Sequence, residues 1–205
     1  MTSPSMESVP AGPNTSTSSP NWLTVAQDAI WRFDCQQIPE ELATLLALLD
    51  GTVRPVTVLE IGGWNGGSAY AWSQLPSVRQ VITVTLPDSP LKVPELANGV
   101  IWHKVLADSQ LDDTAAQVRQ LVGGGRAGLV WIDGDHTAPA AMRDWQLYGP
   151  IAAPGGLVAF HDINDVPQHP EIDVWPVWQH VRTLRRSMAL VQAPGQLGGT
   201  GIIWA

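Results

Sequence analysis

The chain has 205 residues, 44% of them hydrophobic and 15% charged, and a formal net charge of −8. That size and apolar content suit one globular domain with a full core. Only 11 basic residues stand against 19 acids, so there is no basic footprint for phosphates or anionic lipid, and neither nucleic acid nor membrane is an expected partner.

Residues 1–20, "MTSPSMESVPAGPNTSTSSP", are almost all small, polar or proline. They carry too little apolar area to offset their ordering entropy and read as a disordered tail. No basic-then-apolar signal pattern occurs and no apolar run reaches about 18 residues, so the cytoplasm is the expected location. Residues 21–205 read as a single domain that opens with two helices. In "NWLTVAQDAIWRF" the residues Trp22, Val25, Ile30 and Phe33 are spaced for one buried face. Cys35 follows; as the single cysteine it permits no internal disulfide and reads as a small buried hydrophobe rather than a reactive thiol. In "IPEELATLLALLD", Pro39 suits a first turn, Glu40 and Glu41 suit a helix N-terminus, and Leu42, Leu45, Leu46 and Leu49 form the apolar stripe.

From Val56 the pattern alternates. "VTVLEI", "QVITVTL", "VIWHKVLA", "AGLVWID" and "GGLVAFHD" read as strands, with helices in "SAYAWSQL", "TAAQVRQLV" and "APAAMRDWQLYGPIA". Near-continuous apolar runs joined by helices predict a doubly wound, mostly parallel α/β sheet covered on both faces. After Asp165 come an irregular loop, a helix over "WPVWQHVRTLRR", and the runs "SMALVQA" and "GTGIIWA", which can pair antiparallel at an edge.

"VLEIGGWNGGSAY" places a glycine-rich turn after the first strand, where open α/β sheets bind ligands. Its glycines, Gly62, Gly63, Gly66 and Gly67, do not have the G-x-G-x-x-G spacing of a dinucleotide turn. Glu60 two residues earlier is a poor neighbour for a pyrophosphate and a good one for a cationic amino-acid group. The segment resembles the first motif of class I S-adenosylmethionine-dependent methyltransferases, E/D-x-G-x-x-x-G. "LVWIDGDHTAPAAMRDWQLYGPIAAPGGLVAFHDI" resembles the later motifs of the branch that holds catechol-type and macrocin-type O-methyltransferases and cephalosporin-hydroxylase-like proteins. The resemblance runs from Glu40 to Ala205. It implies a Rossmann-like, seven-stranded sheet with an antiparallel C-terminal hairpin, S-adenosyl-L-methionine as cofactor, and residues 21–50 as a substrate lid.

By position, Glu60 is expected near the methionine end of that cofactor, Gly62, Gly63 and Gly66 in the turn beneath it, and Asn65, Gly67 and Ser68 along the same pocket. Thr85 stands where the family has an acid for the ribose hydroxyls: Thr85 takes one hydroxyl, Asp88 folds back to do so, or the ribose is held more weakly. Asp108 and Ser109 in "VLADSQ" are candidates for the adenine side, with a turn or cap the alternative for Asp108.

Two further segments carry the chemistry. "WIDGDH" puts Asp133, Asp135 and His136 after one strand, and "AFHD" puts His161 and Asp162 after the next. The resemblance makes Asp133, His161 and Asp162 a metal set for Mg²⁺ or another divalent cation, which would hold and polarise acceptor oxygens. The alternative is a metal-free, hydrogen-bonded group. His136 is the candidate general base, expected to be kept neutral by a helix N-terminus, with Asp133 beside it in the catalytic group; the alternative makes His136 or Asp135 a support or cap. His103, His169 and His180 read as structural or exposed, although the His169 loop is placed to cover substrate. Trp22, Trp31, Trp175 and Trp178 are candidates for an aromatic wall, while Trp64, Trp72, Trp102, Trp131, Trp145 and Trp204 read as core.

The resulting expectation is a methyltransferase acting on a hydroxyl of a small molecule, with homo-oligomerisation left open. The alternatives are a nicotinamide-dependent oxidoreductase, against which the glycine spacing and Glu60 speak, and a non-catalytic or hydroxylase-associated cofactor-binding protein.

Overall fold

The computed structural model describes residues 20–92, 96, 99–192 and 194–205. The expected disordered tail, Pro20 apart, lies outside the described residues. Helix α1 spans Trp22–Phe33; the Asn21 side chain accepts from the backbone N–H groups of Leu23 and Thr24, and the helix ends at Asp34 in a left-handed conformation. Its buried stripe is Trp22, Ala26 and Ala29, one position off the expected one, with Val25, Ile30 and Phe33 only half-buried. The small alanines are what allow α1 to lie close to its neighbours. Helix α2, Pro39–Leu48, buries Leu42, Leu45 and Leu46 as expected, and a π-helical turn, Leu49–Val53, carries Leu49 into the same core.

Then follow β1 (Thr57–Ile61), α3 (Gly67–Ser73), β2 (Gln80–Thr85), β3 (Ile101–Leu106), α4 (Asp112–Leu121), β4 (Ala127–Ile132), α5 (Ala138–Tyr148), β5 (Ala152–Phe160), α6 (Trp175–Val181), β6 (Ser187–Leu190) and β7 (Thr200–Trp204). The sheet order is β3-β2-β1-β4-β5-β7-β6. Pairing is parallel from β3 to β5 and antiparallel for β5–β7 and β7–β6, as the sequence pattern predicts. Helix α6 is shorter than its sequence pattern; Thr183 turns back through its hydroxyl onto the His180 carbonyl, which frees the chain to enter β6.

Strand side chains alternate between two cores with the period of two that a pleated strand imposes. Leu59, Ile61, Val130, Ile132, Val158 and Phe160 join the core beneath α4, α5 and α6. Val58, Leu129, Trp131, Leu157 and Ala159 join the one beneath α1, α2 and α3. The strand order reverses between β1 and β4, so a crevice opens at their carboxyl ends, the usual ligand position in such sheets. No helix among the described residues is long and apolar enough to cross a membrane.

Candidate active site at the carboxyl ends of the strands

Strand hydrogen bonding runs one residue past the ends of β1, β4 and β5 and places the loops in register. Gly62 N–H donates to the Val84 carbonyl, Asp133 N–H to Ile61, and His161 N–H to Ile132. Gly62 and Gly66 lie at φ +89° and +88°, the left-handed region that favours glycine. At Gly62 a Cβ would also run into the Asp133 carbonyl, so the turn and the acidic loop touch through backbone alone.

Glu60 is fully buried under the turn. Its carboxylate accepts from Trp72 Nε1 (3.0 Å) and Thr83 Oγ1 (2.8 Å), and the Ser68 side chain also hydrogen-bonds it. Burial pushes its pKa up to about 7 against these three donors. Glu60 therefore shapes the turn from below and exposes nothing at its surface. Asn65 is buried, donates to Asp34 Oδ2 at 3.2 Å, and leaves its own Oδ1 buried without a partner. Thr85 is buried with its hydroxyl 2.6 Å from that of Ser89, while Asp88 is exposed, so two hydroxyls stand at the end of β2. Asp108 accepts from the Gln110 N–H at 2.8 Å, the turn alternative, and the Ser109 carbonyl accepts from the Tyr148 hydroxyl at 2.6 Å.

Across the crevice, charge takes over. His136 Nδ1 lies 2.6 Å from Asp162 Oδ2, and His161 Nδ1 lies 3.1 Å from Asp133 Oδ1 and 3.4 Å from Asp162 Oδ2. Asp162 sits at φ +56° and its Oδ1 accepts from Gly198 N–H at 2.8 Å, which ties it to the chain entering β7. Burial alone would raise the Asp162 pKa, but hydrogen bonds from His136 and His161 hold the carboxyl well below the usual range. For His161, burial opposes the charged form, yet Asp133 and Asp162 outweigh it and push the imidazole up to about 10.

Two expectations change here. His136 was expected to be held neutral by the α5 N-terminus; its pKa is raised instead, chiefly by the hydrogen bond to Asp162. A carboxylate in direct contact outweighs the partial charge of a helix end. The expected metal set of Asp133, His161 and Asp162 gains a second candidate histidine. Among the described residues, the group whose ligand atoms lie within 4.8 Å of one another is Asp133, His136 and Asp162. His161 is buried beneath it, stacked at 5.9 Å on Trp131, with Nε2 buried and unpartnered. His136, half-exposed on the loop, is the histidine of that group, while His161 Nδ1 contacts both carboxylates from below.

The tryptophan expectations are corrected as well. Trp64, read as core, is 51% exposed, and Trp178, read as part of an aromatic wall, is 1% exposed on the buried face of α6. Trp22 is buried, Trp31 is 85% exposed, and Trp175 packs against the core, so the four do not line one surface.

Sequence reasoning missed the segment between α1 and α2. Gln37 Nε2 donates to Asp133 Oδ2 at 2.8 Å, and Asp34 holds Asn65, so this loop bridges the glycine turn and the acidic cluster. Only the helix stop before Pro39 was visible; nothing local names partners about a hundred residues away. Glu41, read as a helix-terminal acid, is buried and accepts from Gln192 N–H at 2.9 Å. Asp173 N–H donates to the His136 carbonyl at 2.7 Å and folds the loop before α6 over the cluster.

Comparison with known proteins agrees with this architecture. The O-methyltransferase from Bacillus cereus, solved with S-adenosylhomocysteine, has a TM-score of 0.59 at 15% identity, covering 94% of each chain. TomG from Streptomyces achromogenes, an O-methyltransferase of tomaymycin synthesis solved with S-adenosylmethionine, has a TM-score of 0.60 at 16% identity, covering 93% of this chain and 92% of that one. MycE, a methyltransferase of the mycinamycin pathway solved with Mg and S-adenosylhomocysteine, has a TM-score of 0.66 at 15% identity. The match covers 92% of this chain and only 55% of MycE. At such identities the likeness establishes the fold. No curated protein matches by sequence. The family model described as "Methyltransferase domain" matches residues 59–163, more than half of the chain and the whole stretch from the glycine turn to the His161–Asp162 pair, and the chain belongs to that family.

Proposed function

We propose that the protein is an S-adenosylmethionine-dependent O-methyltransferase whose acceptor is a hydroxyl of a small molecule, with Asp133, His136 and Asp162 as the acceptor-activating group. The observation that carries this reading is the position of that group, one loop away from the glycine turn and in backbone contact with it. The cofactor reading fits the buried, unpartnered Asn65 Oδ1, an acceptor available to a cationic amine, and the Thr85–Ser89 hydroxyls at the end of β2. Gly62, Gly63, Gly66 and Ser68 form the bend, and Asp108 and Ser109 its adenine side. When bound, S-adenosyl-L-methionine supplies a methyl group on a sulfonium, open to direct displacement.

His136 is oriented by Asp162, and its Nε2 takes the proton of the acceptor hydroxyl. The Asp162 charge stabilises the resulting imidazolium. Asp133 supports this arrangement through His161. The same three residues offer two carboxylates and an imidazole, a donor set that fits Mg²⁺ or another divalent cation, and MycE contains Mg. When bound, the cation supplies Lewis acidity to the acceptor oxygen. A cation there would displace the proton shared by His136 and Asp162, so base and ligand are exclusive roles for His136. The α1–α2 loop, resting on Asn65 and Asp133, supports residues 21–50 as the cover of the acceptor side.

Calorimetric titration with S-adenosylhomocysteine tests the cofactor. Binding is expected, and no heat at millimolar ligand together with binding of NAD would overturn the reading in favour of an oxidoreductase. Methyl transfer to a panel of phenols and sugars, with and without EDTA, separates the two roles of His136. Full activity in EDTA makes His136 the base; loss restored by Mg²⁺ makes it a ligand.

A further inference from the structure

The loop between α1 and α2 touches both sides of the crevice. On the cofactor side it is anchored twice. A Cβ at Gly67, the first residue of α3, would stand 2.6 Å from the Cys35 Cβ and 2.9 Å from the Ala29 carbonyl oxygen, so α1 and the loop rest directly on the end of the glycine turn. Asp34, in the left-handed region at φ +53°, accepts from Asn65 Nδ2 at 3.2 Å. On the acidic side the loop is anchored once. Gln37 Nε2 donates to Asp133 Oδ2 at 2.8 Å, the loop's only hydrogen bond, among the described residues, to the Asp133, His136 and Asp162 group. The other oxygen of Asp133 is held as well, with Oδ1 3.1 Å from His161 Nδ1. The χ2 torsion of an aspartate is broad and roughly two-fold, so a single partner leaves the carboxylate plane free to turn. A partner on each oxygen, one at the end of β5 and one in the α1–α2 loop, sets that plane.

We propose that Gln37 is a positioning residue for methyl transfer: it fixes the Asp133 carboxylate within the acceptor-activating group, and only while the α1–α2 loop is seated on the glycine turn. Ordering a glutamine side chain is costly in rotamer freedom, and a bond to a carboxylate offsets that cost better than a bond to a neutral group. The amide presents its N–H to Asp133, because a carboxylate accepts and the amide oxygen cannot donate. Gln37 moves no proton and acts only through Asp133. Without it Asp133 keeps His161 but turns about χ2, and His161, held between Asp133 and Asp162, loses a fixed neighbour. Asp162 is the carboxylate that orients His136, so the disturbance reaches the group that meets the acceptor hydroxyl. Small misplacements of such groups cost rate rather than binding.

The proposal rests on the acceptor reading of the Asp133, His136 and Asp162 group. It is tested with Q37A and Q37N by steady-state methyl transfer to the phenol or sugar that wild type uses best, with S-adenosylhomocysteine affinity and melting temperature measured alongside. Q37A is expected to lower kcat about tenfold, the weight of one hydrogen bond to a charged group, while KM for the acceptor and the affinity for S-adenosylhomocysteine stay within about twofold. Q37N, one methylene too short to reach Asp133 from the same backbone, is expected to lose as much. Wild-type kcat in both variants overturns the proposal. So does a fall in melting temperature and S-adenosylhomocysteine affinity at unchanged kcat, which is what a purely structural tie would give. Either result leaves the acceptor reading standing. Absence of turnover by wild type with every acceptor, with and without Mg²⁺, overturns both. If Q37A does not fold, Q37N decides by the same criteria.

Discussion

Two buried carboxylates sit at the same end of the sheet, at the ends of strands separated only by β4, and behave in opposite ways. Glu60, near the end of β1, has three neutral donors and no cation, and burial lifts its pKa to about 7. Asp162, after β5, is also buried, at 6% exposure, yet two imidazoles hold it ionised far below the usual range. Burial alone does not set the charge of a buried acid; the charge of its partners does. The crevice is thereby divided into a near-neutral side of backbone turns and hydroxyls, suited to carrying a cofactor, and a charged side able to move a proton.

The contrast is broken most severely at Asp162. Asp162→Ala leaves His161 as a buried cation facing one carboxylate and is expected to cost about 3 kcal/mol of stability, read by thermal or urea denaturation. Asp162→Asn keeps the left-handed backbone that Asn tolerates and is expected to recover part of that loss but not turnover. His136→Ala is expected to lower turnover by about 10²-fold or more while the affinity for S-adenosylhomocysteine stays within about twofold. Wild-type turnover in that variant would remove His136 from the mechanism.

The next effect is in pH. Glu60 has a folded pKa above its unfolded value, so its carboxyl favours folding most below about 4.5, and that contribution is lost as pH rises through about 7. His161 also has a raised pKa; its contribution is full below about 6.5 and is lost as pH rises through about 10. Asp162 has a lowered pKa, so its contribution is present above about 3.8 and is lost on acidification below that. Maximum stability is therefore expected between about pH 4 and 5, where the three windows meet. Glu60→Gln should lose less melting temperature than wild type between pH 5 and pH 8, by up to about 3 kcal/mol in free energy. Parallel curves for the two proteins would show Glu60 to be ionised and the contrast with Asp162 to be mistaken. Asn65→Ala removes the unpartnered acceptor and is expected to weaken cofactor affinity by about tenfold, measured by calorimetry. The smallest change is Trp64→Ala at an exposed side chain, within about 0.5 kcal/mol in stability.

The strands were legible because β1, β2, β4 and β5 are rich in apolar residues and buried on both faces, a pattern that parallel strands beneath helices require. The α1 stripe was misplaced because Ala26 and Ala29 carry little hydrophobic signal even though close helix contact depends on them. Trp178 and Trp64 were read in opposite senses to their burial for a related reason. A tryptophan packs wherever space is left for it, and that space is set by elements distant in sequence.

The sequence by itself determined the mostly parallel sheet, the glycine turn and the presence of acids and histidines after β4 and β5, since each is encoded by local periodicity, turn chemistry or motif spacing. Tertiary structure alone decided that both His136 and His161 face Asp162, that Gln37 reaches Asp133, and that Glu60 and Asp162 differ in charge. Those outcomes depend on distances of a few ångströms between segments far apart in the chain, and Coulomb and hydrogen-bond energies change steeply over that range.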